Sequence, residues 1–142
     1  MLVRLIYASR AKGPISEELV ASILSQSRKN NPATGLTGVL CLCHSDVFMQ
    51  ALEGGREEVN QLYGKVLRDD RHTDVTLLEY AEITERRFSG WRMGRVDLDR
   101  VNTAIVLRYS ELPRLDPFKI SGAVALKLLE ELVSTASIVG GN

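Results

Sequence analysis

Hydrophobic and polar positions change period several times along this chain. Residues 2–9 alternate with a period of two, with Val3, Leu5 and Tyr7 on one side and Arg4 on the other, which predicts a strand. Gly13-Pro14 marks a turn. Ser16 followed by Glu17 and Glu18 supplies a capping hydroxyl and first-turn acids, and Leu19, Val20, Ile23 and Leu24 then fall at helical spacing. This helix is expected to end before Asn30-Asn31-Pro32, because the residue before a proline is pushed out of the helical region. From Gly35 to Gly55, two short apolar strands flank a polar hairpin at His44, Ser45 and Asp46. Val59, Leu62, Tyr63, Val66 and Leu67 form the stripe of a second helix. Residues 74–84 and 90–97 predict two more strands joined by Glu85-Arg86-Arg87, with Trp91 and Met93 sharing a face of the last. A short helix is expected within 99–110. Pro113 and Pro117 punctuate a linker, and residues 119–138 form a helix too apolar for free exposure.

The order strand, helix, strand, strand, helix, strand, strand predicts an α+β fold. The sheet is a ferredoxin-like βαββαββ unit with two helices on one face, plus a C-terminal helical tail. In such a sheet the first and third strands are central neighbours. Tyr7 and Gln50 then stand side by side beneath both helices, and the other face is left for the tail or a partner chain.

At 142 residues the chain suits one domain with a real core. Eighteen basic and 18 acidic residues cancel, so no global field argues for nucleic acid or an anionic membrane. The amino terminus enters L-V-R-L-I-Y without a charged leader and a long apolar run, so no signal peptide is expected. Residues 120–139 come closest to a membrane span but carry Lys127, Glu130 and Glu131. A cytoplasmic protein without membrane or direct nucleic-acid partners is the expectation. Cys41 and Cys43 face the same way on one strand, a poor arrangement for a disulfide. With His44 on a hairpin and His72 after a helix, buried thiols are favoured over a metal site.

Phe48, Gln50 and Leu52 share a strand face, which sets an amide among apolar neighbours. A buried amide needs partners, whereas an edge-strand glutamine would simply meet water. Tyr7 poses the same alternative for its hydroxyl. Asn31 suits a turn, Lys65 and Asp69 a surface ion pair, and Trp91 with Met93 plain core packing. Together, a slot floored by Tyr7 and Gln50 and rimmed by Asn31, Lys65, Asp69, Arg71 and His72 would suit a planar ring with polar edges and a phosphate-bearing tail. Neither a GxGxxG fingerprint nor a phosphate loop is present.

Five segments resemble a known family. They are L-I-Y-A-S at 5–9, N-N-x-x-x-G-L-T-G at 30–38, F-x-Q-x-L-E-G at 48–54, D-x-R-H at 69–72 and F-x-x-W-x-M-G at 88–94. Each is weak alone. In this order they resemble the BLUF domain, a blue-light sensor that binds FAD, and the tail resembles that of short, single-domain members. The resemblance implies a flavin-binding unit over 1–97 and a helical extension over 98–142 for packing, oligomerisation or signal output.

The roles that follow are implied by the resemblance. Tyr7 matches the tyrosine that gives an electron and then a proton to the excited flavin. Gln50 matches the glutamine between that tyrosine and the flavin ring, and Asn31, with Asn30 as the second candidate, matches the asparagine at the ring's polar edge. Ser9 matches a small residue near the tyrosine. Lys65, Asp69, Arg71 and His72 match residues beside the ribityl and phosphate portion, and Trp91 and Met93 match the pair that competes for the place next to the glutamine. A sensor of this kind implies no enzyme activity of its own, an unidentified downstream protein, and a homodimer or higher homo-oligomer. The alternatives are a small flavin-dependent reductase and a light-independent ligand-binding regulatory module.

Overall fold

The computed structural model describes residues 1–140, apart from the side chains of Gln26, Asn30, Asn31 and Pro32. Its elements are β1 (Leu2–Ala11), α1 (Glu17–Thr34), β2 (Thr37–His44), β3 (Val47–Gly55), α2 (Arg56–Arg68), β4 (His72–Ile83), β5 (Gly94–Asp97), α3 (Thr103–Leu107) and α4 (Gly122–Ser134). The strands form a single sheet in the order β4-β1-β3-β2-β5. β1 pairs antiparallel with both β3 and β4, β2 antiparallel with β3, and β5 parallel with β2. This is the expected ferredoxin-like sheet with one added strand.

The alternation of side chains gives the sheet two separate cores. Val3, Leu5, Tyr7, Leu40, Phe48 and Leu52 pack beneath Val20, Ile23 and Leu24 of α1 and Val59 of α2. On the opposite face Ile6, Val39, Cys41, Met49 and Ala51 pack against Ala125, Leu128, Leu129 and Leu132 of α4, with Val106 and Leu115 alongside. The apolar tail thus covers the face that the two sheet helices leave bare. Both cysteines are free and buried there. Among the described residues no group of histidine, cysteine and carboxylate side chains could hold a metal, and no helix is long and apolar enough to cross a membrane.

Several boundaries differ from expectation for local reasons. α1 continues past Pro32 to Thr34, and ends where Gly35 turns left-handed at φ +72°. Its start is as expected, with Ser16 Oγ accepting from the Leu19 N–H at 3.1 Å. β5 begins only at Gly94, so Trp91 and Met93 belong to the turn before it. The period-two argument that put them on one face therefore fails. α4 is shorter than expected because Pro117–Lys119 forms a separate 3₁₀ turn, Ser121 caps the helix through the Val124 N–H at 3.2 Å, and Ala136 ends the segment at φ +55°.

The tail is seated by close backbone approach. A Cβ on Gly122 would lie 2.2 Å from the Leu78 carbonyl oxygen and 2.9 Å from Glu79 Cβ on β4. Neither neighbour is the end of a flexible chain, so any larger residue must lift α4 from the sheet. Gly122→Ala should lower the unfolding free energy by about 1–3 kcal/mol, the usual cost of overpacking. Urea unfolding checks this, and an unchanged midpoint would mean that α4 does not rest on β4.

Candidate functional site

The cross-strand register sets the floor of the site. Tyr7 on β1 lies directly opposite Gln50 on β3, and the two are 1 % and 3 % exposed. The Tyr7 hydroxyl donates to Gln50 Oε1 in a short hydrogen bond. Gln50 Nε2 is 3.2 Å from Met93 Sδ, a weak acceptor. The amide is thus the middle of a buried chain, Tyr7 to Gln50 to Met93. Burial, with lesser contributions from Tyr63 and Asp69, pushes the Tyr7 phenol well above its ordinary pKa, so it keeps the proton it donates. The Tyr63 ring is tilted against Tyr7, with centroids 5.6 Å apart.

Above this floor a pocket opens between α1 and α2. Its apolar walls are Ile23, Leu36, Leu62 and Val66, and its polar groups include Lys65, Asp69, Arg71 and His72. Arg71 folds back on Asp69, with Nη2 at 2.7 Å from Oδ2 and Nε at 3.0 and 3.1 Å from the two carboxylate oxygens. That pairing holds the Asp69 carboxyl below its ordinary pKa. Arg71 Nη1 also reaches Ser22 of α1 at 3.0 Å, which joins the two ends of the rim. Lys65 lines the same pocket, and the expected Lys65–Asp69 pairing gives way to the planar fork of Arg71. Ser9 is fully buried one layer below, its Oγ 3.0 Å from His72 Nδ1. Burial is the main cause holding His72 below its ordinary value, against the opposing pull of Asp69.

The sequence-expected residues therefore separate into groups. Tyr7, Gln50, Lys65, Asp69, Arg71 and His72 line one pocket, with Ser9 behind His72. Met93 is buried on the helix side and touches Gln50, whereas Trp91 packs on the tail side of the sheet. Only Met93 stands next to the glutamine. The side chains of Asn30 and Asn31 lie outside the described residues. Ser27, Thr34, Glu58 and Gln61 also line the pocket and were not anticipated. The signal was available: Ser27 follows Ile23 by four residues, and Glu58, Gln61 and Lys65 share one stripe of α2.

This donor set fits a flavin. An amide able to donate and accept sits at the floor, apolar side chains face each other across the slot, and Lys65 and Arg71 at the rim would hold an anionic end. A family model described as sensors of blue light using FAD matches residues 2–94. Photoactivated adenylate cyclase subunit beta of Euglena gracilis is 36 % identical over 93 residues, 65 % of this chain and 11 % of that protein. The blue light- and temperature-regulated antirepressor BluF of Escherichia coli K12 is 31 % identical over 98 residues, 69 % of this chain and 24 % of that protein. The chain thus spans only a small part of these relatives. Among solved structures, BlsA in its photo-activated state aligns with a TM-score of 0.80 at 33 % identity, covering 94 % of this chain and 95 % of that one. Dark-state BlrB aligns with a TM-score of 0.76 at 26 % identity, covering 95 % and 96 %.

The buried His72 ring gives the pocket a pH signature. Its folded value lies below the ordinary 6.5, so the unfolded chain binds the extra proton first. The associated stability is whole above about pH 6.5 and is lost as pH falls toward the folded value. NMR titration of the cofactor-free protein should place the His72 midpoint below 6.5, and a midpoint at or above it would mean that the ring is not buried.

Proposed function

The chain belongs to the family of blue-light sensors using FAD, and from that membership we propose that Tyr7, Gln50 and Met93 form its light-sensitive hydrogen-bond switch. The observation that carries this reading is the buried chain of contacts from the Tyr7 hydroxyl through the Gln50 amide to the Met93 sulfur. Gln50, with Asn31 or Asn30, would meet the ring's polar edge. Lys65, Arg71 and His72 would meet the ribityl and phosphate portion.

Bound FAD supplies the absorption of blue light and, once excited, an acceptor for one electron. Tyr7 is the side chain beside Gln50 from which that electron can come. Its hydroxyl proton is already aimed at Gln50 Oε1, so oxidation of the phenol releases the proton along an existing bond. Return of the electron and proton restores Tyr7. In the interval the amide can rotate or tautomerise, exchanging donor and acceptor positions. A turned amide would point its oxygen at Met93 Sδ, which has no proton to give. Met93 is then displaced, and the altered hydrogen bond from Gln50 into the slot is read as a small red shift.

The output passes from the 91–94 turn to the tail and from there to a downstream protein. Cyclase activity is not part of this reading, because the matched segment covers only 11 % of the cyclase subunit. Leu107 and Leu112, 48 % and 59 % exposed, mark where a second copy of the chain or a downstream protein would pack on residues 98–142.

The test is the absorption spectrum in the dark and after a blue flash. The purified protein should be yellow, with flavin bands that move slightly red and relax. Gln50→Leu should keep the flavin and lose the shift, and Tyr7→Phe should lose it likewise. A normal shift in Gln50→Leu would sink the mechanism. Bleaching by a reduced nicotinamide without a light response would favour a reductase, and failure to take up flavin would favour a light-independent ligand-binding module.

A further inference from the structure

Arg28 of α1 makes an unusual contact for a half-buried cation. Its Nε donates to the Met93 backbone carbonyl at 3.2 Å, and among the described residues it has no carboxylate partner. A Cβ placed on Gly140 would lie 2.8 Å from Arg28 Nη2 and 3.2 Å from the Met93 carbonyl oxygen, so the end of the tail closes over the same contact. Val139 is bonded in both directions to the Arg95 backbone, donating to its carbonyl at 2.8 Å and accepting from its N–H at 2.5 Å. The Arg95 guanidinium in turn binds Glu17 of α1 at 2.9 and 3.0 Å. Two residues before Met93, the Trp91 carbonyl accepts from the Gly38 N–H at 3.1 Å.

We propose that Arg28 is a positioning residue for the switch, holding the Met93 backbone to α1 so that the thioether stays against Gln50. The inference rests on the reading of Gln50 as the switch. Met93 is completely buried, with its side chain toward Gln50 and its carbonyl toward Arg28. When the amide turns, the sulfur must withdraw from an oxygen to which it cannot donate. With the carbonyl gripped, only the side chain can give way, so the strain persists and drives the return. Without the grip the backbone relaxes with the side chain, the strain is spent, and the return slows.

Arg28→Ala should therefore keep the dark spectrum and the size of the red shift, while return to the dark slows about threefold or more. Arg28→Lys, which retains a donor, should fall between. In a Met93→Ala background the same change should have almost no further effect, because the two act as one unit. An unchanged return in folded, flavin-loaded Arg28→Ala would overturn the proposal. Equal slowing with and without Met93 would overturn it as well.

A second readout does not use the photocycle. Met93 is one of three methionines, so its ¹³C-methyl resonance can be assigned in the flavin-loaded protein kept dark. That resonance should move in Arg28→Ala and stay in place in the exposed-neighbour variant Lys29→Ala. A resonance that does not respond to Arg28 overturns the positioning role even where the light response is normal. A wild-type protein without any red shift removes the switch reading, and the positioning role with it, whatever the resonance does.

Discussion

One cross-strand pair constrains the rest of the molecule. Tyr7 and Gln50 are buried polar side chains on the two central strands, and each finds its partner only because β1 and β3 pair in the observed register. Leaving a buried amide unsatisfied costs about 1–3 kcal/mol. A slip of one residue would send one of the two side chains to the opposite face, among Ile6, Met49 and Ala51, and leave the other without its partner. The pair is also incompletely satisfied. The amide has a second N–H, and its other contact is to a sulfur, so hydrogen-bonding capacity is left over where the pocket opens.

The register is secured from the other end of the same strands by a charge. Glu53 is fully buried and lies opposite Arg4, whose Nη1 it accepts at 3.2 Å. It also accepts from the N–H groups of Arg87, at 2.9 and 3.0 Å, and Phe88, at 2.7 Å. Removing one partner of a buried ion pair costs about 3–5 kcal/mol, so a slipped register would be penalised here as well as at Gln50. These bonds also anchor the segment that leads from β4 to Met93. Three residues beyond Gln50, one carboxylate thus ties both the strand pairing and the start of the turn that carries Met93.

Most of this was legible where periodicity was strong. The alternation of residues 2–9 and 48–52, the stripe of α2 and the Ser16 cap follow from side-chain geometry alone, and with the strand order they bring Tyr7 to Gln50. Pro32 misled because it biases a helix to stop without compelling it, and the stop was supplied by Gly35. That error hid Thr34 as part of the pocket wall. Trp91 and Met93 misled for the converse reason. An alternation of large apolar and charged residues looks like a strand, yet the Gly38-to-Trp91 bond and the turn from Phe88 give it another shape. The contact of Arg28 with a backbone carbonyl leaves no mark in the sequence, since any cation at that helical position would read as solvated surface.

The corrected placement of Trp91 and Met93 changes how the two halves of the molecule can communicate. Had both lain on one strand face, they would contend for a single site beside Gln50. They instead lie on opposite faces of one segment: Met93 in the core under α1 and α2, Trp91 against the core under α4. Next along the chain, Gly94 leaves no space on the tail side. A Cβ there would lie 2.6 Å from Ile138 Cγ2 and 3.0 Å from Trp91 Cγ, so the tail, the indole and the strand backbone are in direct contact. Dense packing makes such a segment resist gradual deformation and favours a change between discrete arrangements. A displacement forced on Met93 from the flavin side would then be met by Trp91 and Ile138 on the tail side. The sheet thus does not separate the two cores at residues 91–94, because both pack against that one segment.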